Sequence, residues 1–162
     1  MNLCPCGYYG DHARNCTCTP LMIQRYLQRI SGPLLDRVDI HIEAPRLKQD
    51  QLVGAAKSEP SVAIRDRVTR ARNTQQARFD GSGIYCNAHM RTKQLRQFCK
   101  MSEDVEALLR SAITQLNLSA RAFDRILKLS RTIADLAESP EIETPHVAEA
   151  IQYRSLDRKF WG

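Results

Sequence analysis

The chain has 162 residues, 43% of them hydrophobic, and its 24 Lys and Arg against 18 Asp and Glu leave a formal charge of +6. That balance suits one globular domain or two small ones, with about 68–70% of the unfolded surface buried on folding. No apolar run approaches the roughly 18 residues of a membrane helix, and the Cys-, Pro- and Gly-rich start does not read as a secretory signal, so a soluble cytoplasmic protein without a membrane partner is expected.

In a reducing cytosol six cysteines are not a disulfide framework, and four of them, Cys4, Cys6, Cys16 and Cys18, fall within one short window. Cys4-Pro5-Cys6 and Cys16-Thr17-Cys18 form two C-x-C pairs that can place four thiolates around one tetrahedral zinc, although C-x2-C is the more usual knuckle. The competing reading is a set of reduced or opportunistically oxidised thiols. His12 lies between the pairs and could replace one thiolate, but four cysteines already close a site.

Thr19-Pro20 gives an N-cap followed by proline at the first helical position, and Ile23, Tyr26, Leu27 and Ile30 recur at helical spacing until Gly32-Pro33. Val38, Ile40 and Ile42 then alternate with Asp39, His41 and Glu43, the period of a half-buried strand ended by Pro45. A lone strand leaves a ladder of backbone donors and acceptors unpaired, so its partner strands are expected outside this sequence. Residues 47–60 lack sustained apolar periodicity and read as a connector between a first part, 1–46, and a helical part, 61–162.

From Ser61 the pattern is helical, with Ile64, Val68, Ala71 and Phe79 on or near one face, until Asp80-Gly81-Ser82-Gly83 breaks it. A short helix contributes Met90, Leu95, Phe98 and Cys99. Ser102 opens another with Glu103 and Asp104 in its first turn and Val105, Leu108, Leu109, Ala112 and Ile113 inward. Ser119 opens the next with Phe123, Ile126, Leu127, Ile133, Ala134 and Ala137, and Thr144-Pro145 starts a last one with Val147, Ala150 and Ile151. The fold class expected is mainly α.

Residues 61–100 hold nine Lys or Arg against only Asp66 and Asp80, while the rest of the chain is close to neutral. A polyanion would meet the protein there, and Arg65, Arg67, Arg70, Arg72 and Arg78 are the candidate nucleic-acid contacts; a solvated helix face is the plain alternative. No G-x-x-x-x-G-K-[ST] phosphate loop and no strand ending in a paired Asp-Glu occurs, so the chain alone has no means of hydrolysing nucleotide. His41, His89 and His146 read as structural. Two arginines stand at rigid positions suited to phosphoryl charge: Arg37, where the Ser31–Asp36 turn enters the strand, and Arg121, in the first turn of the helix opened by Ser119.

The run Met1-Asn2-Leu3-Cys4-Pro5-Cys6-Gly7-Tyr8-Tyr9-Gly10-Asp11 and the run Arg29-Ile30-Ser31-Gly32-Pro33-Leu34-Leu35-Asp36-Arg37-Val38-Asp39-Ile40-His41-Ile42 resemble the later half of the magnesium-chelatase-like AAA+ ATPases of the ComM/YifB type. Leu118-Ser119-Ala120-Arg121-Ala122-Phe123-Asp124-Arg125-Ile126-Leu127-Lys128 and Ala148-Glu149-Ala150-Ile151-Gln152-Tyr153-Arg154 resemble that family's C-terminal helical domain. The resemblance implies that residues 1–46 are the end of an AAA+ α/β core with a Cys loop, followed by a helical lid. It also implies that Asn2 matches sensor 1, Arg37 the arginine finger and Arg121 sensor 2. The sequence departs from the family at Leu3, where proline is usual. ATP and Mg in the intact parent, a missing N-terminal part of the core, identical subunits in a ring (a hexamer) and DNA are the ligands and partners implied. The rival reading is a zinc-bearing nucleic-acid-binding module that uses the basic 61–100 segment.

Overall fold

Thr19 lies in extended backbone and its Oγ1 accepts the Met22 N–H at 3.4 Å, while Pro20 takes the first helical position, where its missing N–H would have no partner anyway. The helix so started is α1 (Pro20–Leu27), which buries Leu27. The computed structural model describes residues 2–11, 13–35, 37–44, 58–116 and 118–161. His12, Asp36, Pro45 and most of the predicted connector (residues 47–57) lie outside the described residues.

The chain divides into two compact units, Met1–Ala56 with Arg154–Gly162, and Lys57–Tyr153. In the first, the Gly32-Pro33 stop of α1 is followed by a single helical turn, α2 (Gly32–Leu35), closed on the Ser31 carbonyl by the N–H groups of Leu34 and Leu35 at 3.0 and 3.1 Å. Leu35 is buried. The segment predicted as a strand forms no β-ladder among the described residues. Val38 and Ile40 are exposed and Ile42 is 72% exposed, because a strand cannot satisfy its own backbone and no partner is present. Within the same unit, the guanidinium of buried Arg154 donates to the Val38 carbonyl.

The second unit is helical throughout. It runs α3 (Ser61–Arg78), a 3-10 turn (Asn87–His89), α4 (Thr92–Phe98), α5 (Glu103–Gln115), α6 (Ala120–Leu136) and α7 (Thr144–Trp161), whose residues from Arg154 onward count with the first unit. The mainly helical fold expected from the sequence is the one observed. Phe79, Met90, Leu95, Cys99, Val105, Leu109, Ile126, Leu127, Ala134, Val147 and Ala150 are buried together, and Phe79 meets Phe98 edge to face with ring centroids 5.5 Å apart. Among the described residues the sole β-pairing is an isolated parallel bridge, Met101 to Ile142.

Only the C-terminal part of α3 is packed: Ala71 and Gln75 are buried, whereas residues 61–70 are all exposed. The packed end is joined to α6 by buried charge. Asp135, with a fully buried carboxylate, accepts both Nη atoms of Arg78 at 2.5 and 2.7 Å, Arg131 Nε at 3.0 Å and Asn87 Nδ2 at 2.7 Å. Asn87 also donates its N–H to Gln75 Oε1 at 3.0 Å, and Arg131 donates to the carbonyls of Ser139 and Pro140. Removing one partner of a buried ion pair strands the other and costs about 3–5 kcal/mol. Asp135→Ala strands two guanidinium groups, so urea unfolding should show a stability loss of about that size; a loss under about 1 kcal/mol would mean the network contributes little.

Candidate functional site

The Cys loop is shaped by backbone before any metal is considered. After the first C-x-C pair, Gly7 turns back with φ +82° and its N–H reaches the Cys4 carbonyl at 3.1 Å. A side chain there would also meet Asn2, since a Cβ built on Gly7 lies 3.2 Å from Asn2 Nδ2. The turn brings Cys4, Cys6, Cys16 and Cys18 together with every Sγ within 4.8 Å of the others. Cys4 Sγ is 3.3 Å from Cys6 Sγ and 3.7 Å from Cys16 Sγ, and Cys6 to Cys16 is 3.5 Å. Tetrahedral thiolates about 2.3 Å from zinc stand about 3.8 Å from one another, so the cluster has the dimensions of a closed zinc site.

The electrostatics agree. Backbone N–H groups of Tyr8 and Thr17 hold the Cys6 thiol down at about 5. The Cys18 N–H favours the Cys16 thiolate too, but partial burial and the thiols of Cys6 and Cys4 outweigh it and push Cys16 up to about 12. Cys18 is raised as well: the Cys6 backbone favours its thiolate, and desolvation and the neighbouring thiols prevail. One thiolate forms readily and the next must ionise beside it, a repulsion that a divalent cation removes. The four cysteines singled out in the sequence thus converge.

Arg37 lies two residues past the end of α2, its N–H bonded to the Leu34 carbonyl at 3.0 Å, and its side chain is exposed. The turn expected before it is a helical one. Arg121 is exposed at the second position of α6, where Ser119 Oγ caps the helix by accepting the Ala122 N–H at 3.1 Å. The first turn of α6 contains no acid. A cation at the positive end of a helix opposes the macrodipole by about 0.3–1 kcal/mol. Ser119→Ala should lower unfolding stability by about 1 kcal/mol and loosen the turn that carries Arg121, read as earlier thermal unfolding. Asn2, also exposed, lies over Gly7 at the edge of the Cys loop.

The five α3 arginines are not alike. Arg78 is bound to Asp135 and its side chain is only 13% exposed, so it belongs to the core rather than to a phosphate-binding face. Arg67 pairs with both oxygens of Glu59 and Arg70 with Glu138. Arg65 and Arg72 are exposed and make no ion pair among the described residues.

Residues 58–154 match the family model described as magnesium chelatase, subunit ChlI C-terminal, and residues 1–52 match that described as magnesium chelatase, subunit ChlI. The chain belongs to the magnesium chelatase ChlI family. Within that family it resembles the ComM/YifB type. It is 41% identical to the competence protein ComM of Haemophilus influenzae and 39% identical to the uncharacterized protein YifB of Escherichia coli, each over 160 residues. The YifB protein of Salmonella typhimurium is 38% identical over the same length. These alignments take in 98% of this chain but 30% of each relative, so the chain spans under a third of their length. Sequence reasoning missed two buried charges in this ChlI-family chain, Asp135 and Arg154. The contacts that place them are remote in sequence, Arg78 lying 57 residues from Asp135 and Val38 lying 116 from Arg154. No helix among the described residues is long and apolar enough to cross a membrane.

Proposed function

We propose that this chain is the part of a ring-forming AAA+ ATPase that completes the ATP site, with Arg37 as arginine finger, Arg121 as sensor 2 and Asn2 as sensor 1. The observation that carries the reading is the pair of exposed arginines beside ordered helical backbone, Arg37 two residues past α2 and Arg121 in the first turn of α6. A guanidinium held in this way neutralises charge on a phosphoryl group in transfer without having to reorganise. Bound ATP and Mg would supply the phosphoryl group and the metal clamp. Asn2 offers an amide to orient water, and Arg37 and Arg121 offer permanent positive charge.

The exposed apolar segment Val38–Ile42 fits the same reading, as a strand that pairs with core strands of the parent ATPase. The Cys4, Cys6, Cys16 and Cys18 cluster holds one structural zinc that fixes the loop between Asn2 and α1. The role read for the parent is DNA processing, branch migration during transformation, in the cytoplasm, and a relative named as a competence protein supports it. The isolated chain is expected to hydrolyse no ATP. The test is ATPase turnover of the parent protein with Arg37→Ala and with Arg121→Ala. Normal turnover in both would remove the reading.

A further inference from the structure

The free positive charge of the second unit is not confined to the arginine-rich helix, where two of five arginines, Arg65 and Arg72, make no ion pair among the described residues. Between Gly81 and Ser102 the sequence contains no Asp or Glu, and it carries Arg91, Lys93, Arg96 and Lys100. All four are exposed, and none makes an ion pair among the described residues. In α3, by contrast, Arg67 and Arg70 are neutralised by Glu59 and Glu138, and Arg78 by Asp135.

The geometry of α4 sorts its residues. Leu95 and Cys99 are buried one turn apart, and Lys93 and Arg96, three residues apart, fall on the opposite face. Arg91 precedes the first turn, with its N–H bonded to Gln94 Oε1 at 3.1 Å, and Lys100 follows the last. Lys128 of α6 donates its Nζ to the Ala88 carbonyl at 3.0 Å, bringing a fifth cation against the 3-10 turn. Two residues before that turn Tyr85 is 70% exposed. Acids resume only at Glu103, Asp104 and Glu106, in the first turn of α5, where they complement that helix's N-terminus.

We infer that the acid-free surface of the 3-10 turn and α4, carrying Arg91, Lys93, Arg96, Lys100 and Lys128 with Tyr85 ahead of it, binds the sugar-phosphate backbone of single-stranded nucleic acid. Cations without internal carboxylates are the complement of a phosphate backbone, and an exposed tyrosine gives one base a ring to stack on, the two components of sequence-tolerant single-strand binding. The inference stands without the ATP-site reading, because binding is measured with no nucleotide present. Its failure leaves Arg37 and Arg121 untouched, and theirs leaves this surface untouched.

The experiment is fluorescence anisotropy of a labelled oligo(dT) titrated with the 162-residue chain across a salt series. Five backbone contacts, one for each of the five cations, predict a slope of log K against log salt of about −3.5, at about −0.7 per contact for a single strand. Lys93→Gln with Arg96→Gln should flatten the slope by about 1.4, and Tyr85→Ala should weaken binding by about 5- to 100-fold. Arg65→Gln with Arg72→Gln should leave both unchanged. Circular dichroism and urea unfolding establish that the variants fold; these side chains are exposed, and glutamine keeps a polar, unbranched stem without the charge. Absence of binding at low salt would overturn the inference. So would a slope unaffected by the Lys93 and Arg96 substitutions, or stronger binding to phosphatidylserine vesicles than to the oligonucleotide, which would assign the surface to a membrane.

Discussion

Replacing Arg37 with Ala in the parent protein is expected to lower ATP turnover by about 10³- to 10⁵-fold while leaving ATP binding nearly intact, because a finger arginine acts on charge that develops only in the transition state. Position as well as charge should matter. Arg37 stands two residues past α2, whose one turn is closed on Ser31 and anchored by buried Leu35, and its N–H is bonded to the Leu34 carbonyl. Arg37→Lys keeps the charge but loses the planar fork, so it should recover only a small part of the rate. The checking measurement is steady-state ATPase beside nucleotide affinity measured with a fluorescent analogue. A fall in affinity with turnover per bound ATP unchanged would make Arg37 a binding residue instead.

Removing one thiolate should have the second large effect. Cys16→Ser is expected to abolish tight zinc binding and to unfold the Cys loop, since structural zinc contributes about 10–16 kcal/mol in small thiolate sites and the loop has little apolar core of its own. Among its described residues only Cys4 is buried. Elemental analysis should find one zinc per wild-type chain and none in the variant. Proton bookkeeping gives the pH dependence. Cys16 and Cys18 are raised, so both are protonated near neutrality and must lose their protons to bind metal. Affinity should therefore fall as pH falls, and calorimetry in buffers of different ionisation enthalpy should show at least two protons released per zinc near pH 7, those of Cys16 and Cys18. A metal-free wild-type chain with four thiols that react freely would contradict the site.

Much of this was legible from short-range chemistry. Thr19 with Pro20, Ser119, and Thr144 with Pro145 mark helix starts that the structure places within a residue, because capping is decided by the backbone within one turn. Ser102 stands at the cap position of α5 without a side-chain cap bond, so there the three acids of the first turn carry the signal. The convergence of Cys4, Cys6, Cys16 and Cys18 was also visible, since two C-x-C pairs separated by one turn-rich loop have few other ways to fold. The destination of the charges was not. Asp135 reads from sequence as an i,i+4 partner of Arg131, and only the fold brings Arg78 to it from 57 residues away. The basic segment 61–100 read as one patch with its nucleic-acid candidates all on α3, whereas ion pairs to Glu59, Glu138 and Asp135 silence part of that helix and leave the α4 cations free of such pairs among the described residues. Val38–Ile42 has the period of a strand, but a period cannot supply the neighbour that turns it into a sheet.

Subunit mixing tests the central claim most directly. A parent protein carrying Arg37→Ala is combined with one that keeps Arg37 but has an inactivated phosphate loop, and ATPase activity is followed as the ratio changes. Recovery of turnover that neither protein shows alone is the predicted result, with each intact Arg37 serving the ATP of a neighbouring subunit. Activity that stays at the sum of the two separate proteins at every ratio would contradict the account.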